Sequence, residues 1–106
     1  PSEEIVAATA AVVATIGHPV MQEAAQSTDL RREVALSYVL ADGGIVEGSA
    51  DLAFKNPDDP TRWTVVDFKT STEESSREKW VAQVGCYCEA VRRATGEAAD
   101  GVVLMV

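Results

Sequence analysis

Hydrophobic and polar positions along the chain divide into segments of two periods. From Glu3 to Ile16 an Ala-rich stretch with Ile5, Val12 and Ile16 near helical spacing predicts a helix, with Ser2 as its cap. Gly17-His18-Pro19 ends it, and Val20 to Gln26 predicts a short second helix. Arg32 to Ala41 predicts a strand, Asp42-Gly43-Gly44 a hairpin turn, and Ile45 to Lys55 the returning strand, with small residues at Gly48, Ser49 and Ala50. Asn56 to Arg62 carries two prolines and two aspartates and predicts a loop. Trp63 to Thr70, β-branched and aromatic, predicts a third strand. Ser75 or Ser76 then caps a long helix running to Thr95, stopped by Gly96, whose apolar stripe is Trp80, Val84, Tyr87 and Val91. Gly101 to Val106 is continuously apolar, as suits a strand covered on both faces. The order helix, three strands, helix, strand predicts an α/β domain with a mixed sheet.

Composition narrows the function classes. The chain has 106 residues, 46% hydrophobic and 25% charged, which suits one globular domain. The longest charge-free apolar stretch, Ile5 to Gln22, is interrupted by Gly17, His18 and Pro19 and makes no convincing membrane span. No basic stretch precedes an apolar one in the first residues, so no leader is expected among them. The chain opens at Pro1 without an initiator Met, so a piece of a longer protein is expected. Cys86 and Cys88 lie two apart on a helix and point to roughly opposite faces, which forbids a disulfide between them and suits a reducing, cytoplasmic setting. The net charge of −8 argues against non-specific nucleic-acid binding, which Lys and Arg normally lead. Much of that charge sits in Glu3-Glu4, Asp58-Asp59 and Glu73-Glu74, at loops or the terminus.

Candidate chemistry lies in Val65-Val66-Asp67-Phe68-Lys69-Thr70. Strand alternation puts Trp63, Val65, Asp67 and Lys69 on one face and Val66 and Phe68 on the other. A carboxylate and an ammonium in a hydrophobic strand are costly unless they pair or bind an ion. Asp51, on the preceding strand, converges on Asp67 if the two strands are neighbours. Two carboxylates would suit Mg²⁺ or Mn²⁺, and suit zinc poorly without a Cys/His pattern. The bland alternative is a strand-face ion pair in an unrelated α/β interaction domain.

Gly48-Ser49-Ala50-Asp51, then Asp67-Phe68-Lys69-Thr70, then Gln83-Val84-Gly85-Cys86-Tyr87 resemble, in order, the motifs of the PD-(D/E)XK nuclease superfamily. More narrowly they resemble the RecB/AddA-type nuclease domain of helicase–nucleases, and Arg32-Glu33-Val34 resembles the start of that domain's first strand. The resemblance covers residues 32–106, with 1–31 as a helical lead-in, and implies a restriction-endonuclease-like core. It implies Asp51 and Asp67 as metal ligands, the Phe68 backbone carbonyl as a third, and Lys69 beside the attacking water. Gln83 and Tyr87 would line the site, and Glu33 would stand behind it. The implied activity is Mg²⁺-dependent (or Mn²⁺-dependent) DNA hydrolysis, as an exonuclease module working in repair or recombination. Its implied partners are DNA and a helicase portion or subunit. The alternative is a non-catalytic nuclease fold that docks DNA ends or proteins. His18, the sole histidine, falls in a helix break, and the upstream Gly-x-x-x-His pattern of the family is not in these residues. With Arg62, Lys69, Arg77 and Lys79 as the cations expected near the cleft, the chain by itself is expected to cleave weakly.

Overall fold

A computed structural model describes residues 19–70 and 76–106, and the backbone of 11–15. The strands are β1 (Ala11–Thr15), β2 (Leu30–Val39), β3 (Ile45–Asn56), β4 (Asp59–Lys69) and β5 (Ala98–Met105). The helices are α1 (Val20–Gln26) and α2 (Arg77–Thr95). The five strands form one mixed sheet in the order β1-β5-β4-β3-β2. β2, β3 and β4 are an antiparallel meander, whereas β5 runs parallel to both β4 and β1. A parallel neighbour requires a crossover, and α2 supplies it.

Each face of the sheet has its own core. On one, Trp80, Val84, Tyr87, Cys88 and Val91 of α2 pack on Ala50, Ala53, Trp63, Val65 and Val103. On the other, Val20 and Ala24 of α1 pack on Leu52, Phe54, Val66, Val102 and Leu104. β5 is therefore covered on both faces, the physical reason for its unbroken apolar run. Each fully buried Val, Leu or Phe contributes about 1.5–3 kcal/mol over an exposed one. The α2 stripe and the predicted faces of β4 are as the periodicities require. Gly96 closes α2 in the left-handed region at φ 74°, its N–H donating to the Arg92 carbonyl at 2.8 Å.

The structure corrects four boundaries. Within the predicted helix Glu3 to Ile16, Ala11–Thr15 is a strand, so the lead-in is not wholly helical and the element order opens with β1. Val12, Val13 and Thr15 are β-branched, and pairing with β5 outweighs the helix preference of the surrounding alanines. The predicted loop Asn56 to Arg62 is a tight turn at Pro57 and Asp58, with β4 already begun at Asp59. Asn56 Oδ1 accepts the Asp58 N–H at 2.8 Å, and the register shift at Lys55/Asn56 accommodates Pro60, which has no N–H to offer a ladder. β2 starts and ends two residues earlier than the predicted Arg32 to Ala41, because its hairpin turn closes through Leu40 N–H to the Gly44 carbonyl at 2.7 Å. β5 begins at Ala98 rather than Gly101, since β4 offers it partners from Arg62 onward. The predicted Ser2 and Ser75 caps lie outside the described residues, and Ser76 at the α2 N-terminus makes no side-chain capping bond.

Candidate active site

The β3–β4 ladder runs from Asn56–Asp59 to Leu52–Val66 and stops there. One step further, Asp51 would face Asp67. At that point β3 leaves β4, and the polar groups that lose a ladder partner are met by side chains. Asp51 Oδ2 accepts the Phe68 N–H at 2.7 Å, a short charge-assisted bond. Asp67 is buried, at 6% exposure, and its Oδ2 lies 3.0 Å from Lys69 Nζ. Lys69 Nζ also donates to Gln83 Oε1 of α2 at 3.3 Å. Strand alternation puts Asp67 and Lys69 on the α2 side of β4, which is why Gln83 can reach them.

Tyr87 stands one helical turn after Gln83 and is buried at 6% exposure. Its ring lies directly on the backbone of Gly48: a Cβ there would fall 2.6 Å from the Tyr87 hydroxyl oxygen and 2.9 Å from Cζ. A hydrogen bond with the Ser49 backbone holds the phenol in place.

The electrostatics follow from this crowding. Burial is the largest influence on Asp67 and pushes its carboxyl above the usual range; the hydrogen bond from Lys69 pulls it back, and the shared bond with Asp51 pushes it up again. The Tyr87 phenol is also raised, first by burial and then by the Asp67 charge, so it stays protonated at neutral pH. Asp51 and Asp67 offer hard oxygen donors, and a divalent cation would relieve the repulsion of two neighbouring carboxylates, so the donor set fits such an ion. Among the described residues no group of three or more His, Cys, Asp or Glu side chains gathers that could hold a metal.

Asp51, Asp67, Lys69, Gln83 and Tyr87 are therefore brought together, from β3, β4 and α2. Asp51 takes the N–H of the residue next to Asp67, so the two do not stay apart as they would in a simple strand-face ion pair. Glu33 sits on β2, exposed, at the register step opposite Asp51. His18 lies outside the described residues. Arg62 is corrected: it forks onto Asp100 of β5, with Nη2 at 2.8 and 2.9 Å from the two oxygens, five residues and roughly 17 Å along β4 from Asp67. Cys86 and Cys88 are free thiols, and burial pushes Cys88 up to about 12, which keeps it an inert packing group. No described helix is long and apolar enough to cross a membrane.

Two residues named in the sequence have roles there that the sequence reading did not give them. Gly48 carries the Tyr87 ring, and the signal for it was a glycine inside a strand pattern, which marks close approach of another group. Glu33 has φ 49°, which no local pattern announces. A family model for the PD-(D/E)XK nuclease superfamily matches residues 2–106. A search of the curated proteins finds no significant match.

Proposed function

Because the chain belongs to the PD-(D/E)XK nuclease superfamily, we propose that it is a metal-dependent DNA nuclease, working as the exonuclease module of a RecB/AddA-type helicase–nuclease in cytoplasmic DNA repair or recombination. The observation that carries this reading is the convergence of Asp51, Asp67 and Lys69 where β3 and β4 part, closed on the α2 side by Gln83 and Tyr87. Asp51 and Asp67 would hold Mg²⁺ or Mn²⁺, with the Phe68 carbonyl as a further donor. When bound, the cation supplies charge stabilisation for a phosphodiester under attack and makes water a better nucleophile.

The protein's own side chains account for the rest. Lys69, already tethered to Asp67 and Gln83, presents an ammonium within one side-chain length of the carboxylate pair. There it orients the attacking water and steadies the growing negative charge on the phosphate oxygens. Gln83 fixes the lysine's direction through its carbonyl oxygen. Tyr87, kept protonated and locked against Gly48, walls the site and offers a neutral hydroxyl rather than a phenolate beside the anionic substrate. Intact Lys69, Gln83 and Tyr87 around the two carboxylates favour turnover over a docking-only role. With a net charge of −8, the chain relies on the helicase portion for strand capture, since counterion release at Lys and Arg drives DNA affinity.

The test is cleavage of single- and double-stranded DNA with Mg²⁺ or Mn²⁺, comparing the chain with its Lys69→Ala variant. Slow divalent-dependent cleavage is expected, falling about 100-fold or more in Lys69→Ala, because a residue acting on transition-state charge lowers turnover by that order. Thermal stabilisation by Mn²⁺ should persist in the variant. Undiminished cleavage by Lys69→Ala would remove the role assigned to the lysine.

A further inference from the structure

Paired residues of an antiparallel ladder point to the same face, and residues two apart on one strand share a face. β2 and β3 obey this on both sides of one step and break it there. Below that step, Leu52 and Phe54, paired with Arg32 and Leu30, enter the core under α1. Above it, Ala50, Val34 and Leu36 enter the core under α2. Ala50 and Leu52 are two apart yet face opposite ways. On β2, Arg31 stacks over Trp63 on the α2 side, the same side as Val34 three residues later. Both strands thus turn over at a single shared step, Glu33 opposite Asp51, which is the step missing from an otherwise constant register. Glu33 is the one non-glycine residue with positive φ among the described residues, at 49°. β3 parts from β4 at the same level, after Leu52–Val66.

We propose that Glu33 is the positioning residue for Asp51: its left-handed backbone turns the β2–β3 pair over, frees β3 from β4, and lets the Asp51 carboxylate take the Phe68 N–H beside Asp67. Left-handed conformations of residues bearing a Cβ persist where surrounding structure over-determines them, and they cluster at functional sites. Here the compensation is visible. The Phe68 N–H donates to the Asp51 carboxylate, the inversion places Ala50 in the α2-side core, and Gly48 meets Tyr87 two residues further on. The backbone of Glu33, more than its exposed carboxylate, does the positioning. The catalytic meaning of this pivot rests on the nuclease reading; the pivot itself does not.

The experiment is amide hydrogen exchange at Phe68, relative to the other β4 amides, in Glu33→Gly, Glu33→Asn, Glu33→Ala and Glu33→Val. All four remove the carboxylate, but Gly and Asn accept the left-handed region and Ala and Val resist it. Phe68 protection should be kept in the Gly and Asn variants and fall about tenfold in the Ala and Val variants. If Val fails to fold, the Gly–Ala comparison decides alone. Equal protection in all variants, or equal loss in all, overturns the proposal. DNA cleavage by the unaltered chain is measured alongside: its absence, with the exchange pattern as expected, removes the nuclease reading and leaves the positioning role standing.

Discussion

Asp67 is the residue on which the site's chemistry and its folding cost meet. Burial raises its carboxyl pKa above the unfolded value, and the neighbouring Asp51 adds to that, while Lys69 opposes it. Between the unfolded and folded pKa values the native state holds more protons than the unfolded chain. Stability therefore falls as pH rises through that window, and the penalty is fully present above it, at neutral pH. Asp67→Asn should accordingly raise the metal-free melting temperature at pH 7 and flatten that acid-side pH slope. It should also abolish the response to Mn²⁺. Melting curves from pH 4 to 8, with and without the cation, check both parts. The spacing Asp-x-Lys revealed two of these charges, because strand alternation alone puts them on one face. That Gln83 would take the lysine ammonium was not legible, since the contact joins residues fourteen positions apart on different elements.

At the level of elements, the site depends on how closely α2 approaches β3. Tyr87 rests on Gly48 with no room for a methyl group, so the helix's tyrosine side chain lies directly on the strand's backbone. Gly48→Ala must push the tyrosine away, at about 1–3 kcal/mol of stability for overpacking. A drop in melting temperature of roughly 4–8 °C per kcal/mol should accompany a loss of cleavage. An unchanged melting temperature in Gly48→Ala would mean that helix and strand do not meet in this way. Arg93 secures the other end of this packing, donating to the Val39 carbonyl at 2.8 Å and lying over the Tyr38 ring at 4.5 Å. The α2 stripe, the β2–β3 hairpin and the fully covered β5 were all readable as periodicities, because burial writes them locally. Ala11–Thr15 was not, because alanine favours a helix and only the distant partner β5 turns the segment into a strand. The early start of β4 was hidden similarly: two prolines and two aspartates signal a loop, while the turn needs only Pro57 and Asp58.

For the whole molecule, the sheet acts as a frame whose antiparallel half comes apart at one place. β5 and β4 run on in parallel register to Lys69–Met105, while β3 has already turned away. The gap falls at the end of the buried centre of the sheet, with Asp67 buried and Asp51 and Lys69 half-buried beside it. Chemistry and fold are thus joined at the same residues, which is why four short motifs in order were enough to suggest the superfamily from sequence. The backbone pivot at Glu33 left no such trace, since a glutamate in a strand looks ordinary until its dihedral angle is known. Under the proposed function, Asp51 and Asp67 together hold one divalent cation. Calorimetric titration of Mn²⁺ into the chain, and into Asp51→Asn and Asp67→Asn, tests it most directly. One binding event per chain is expected, lost or weakened at least tenfold by either substitution. Binding unaffected by both substitutions, or no binding at millimolar Mn²⁺, would contradict the account.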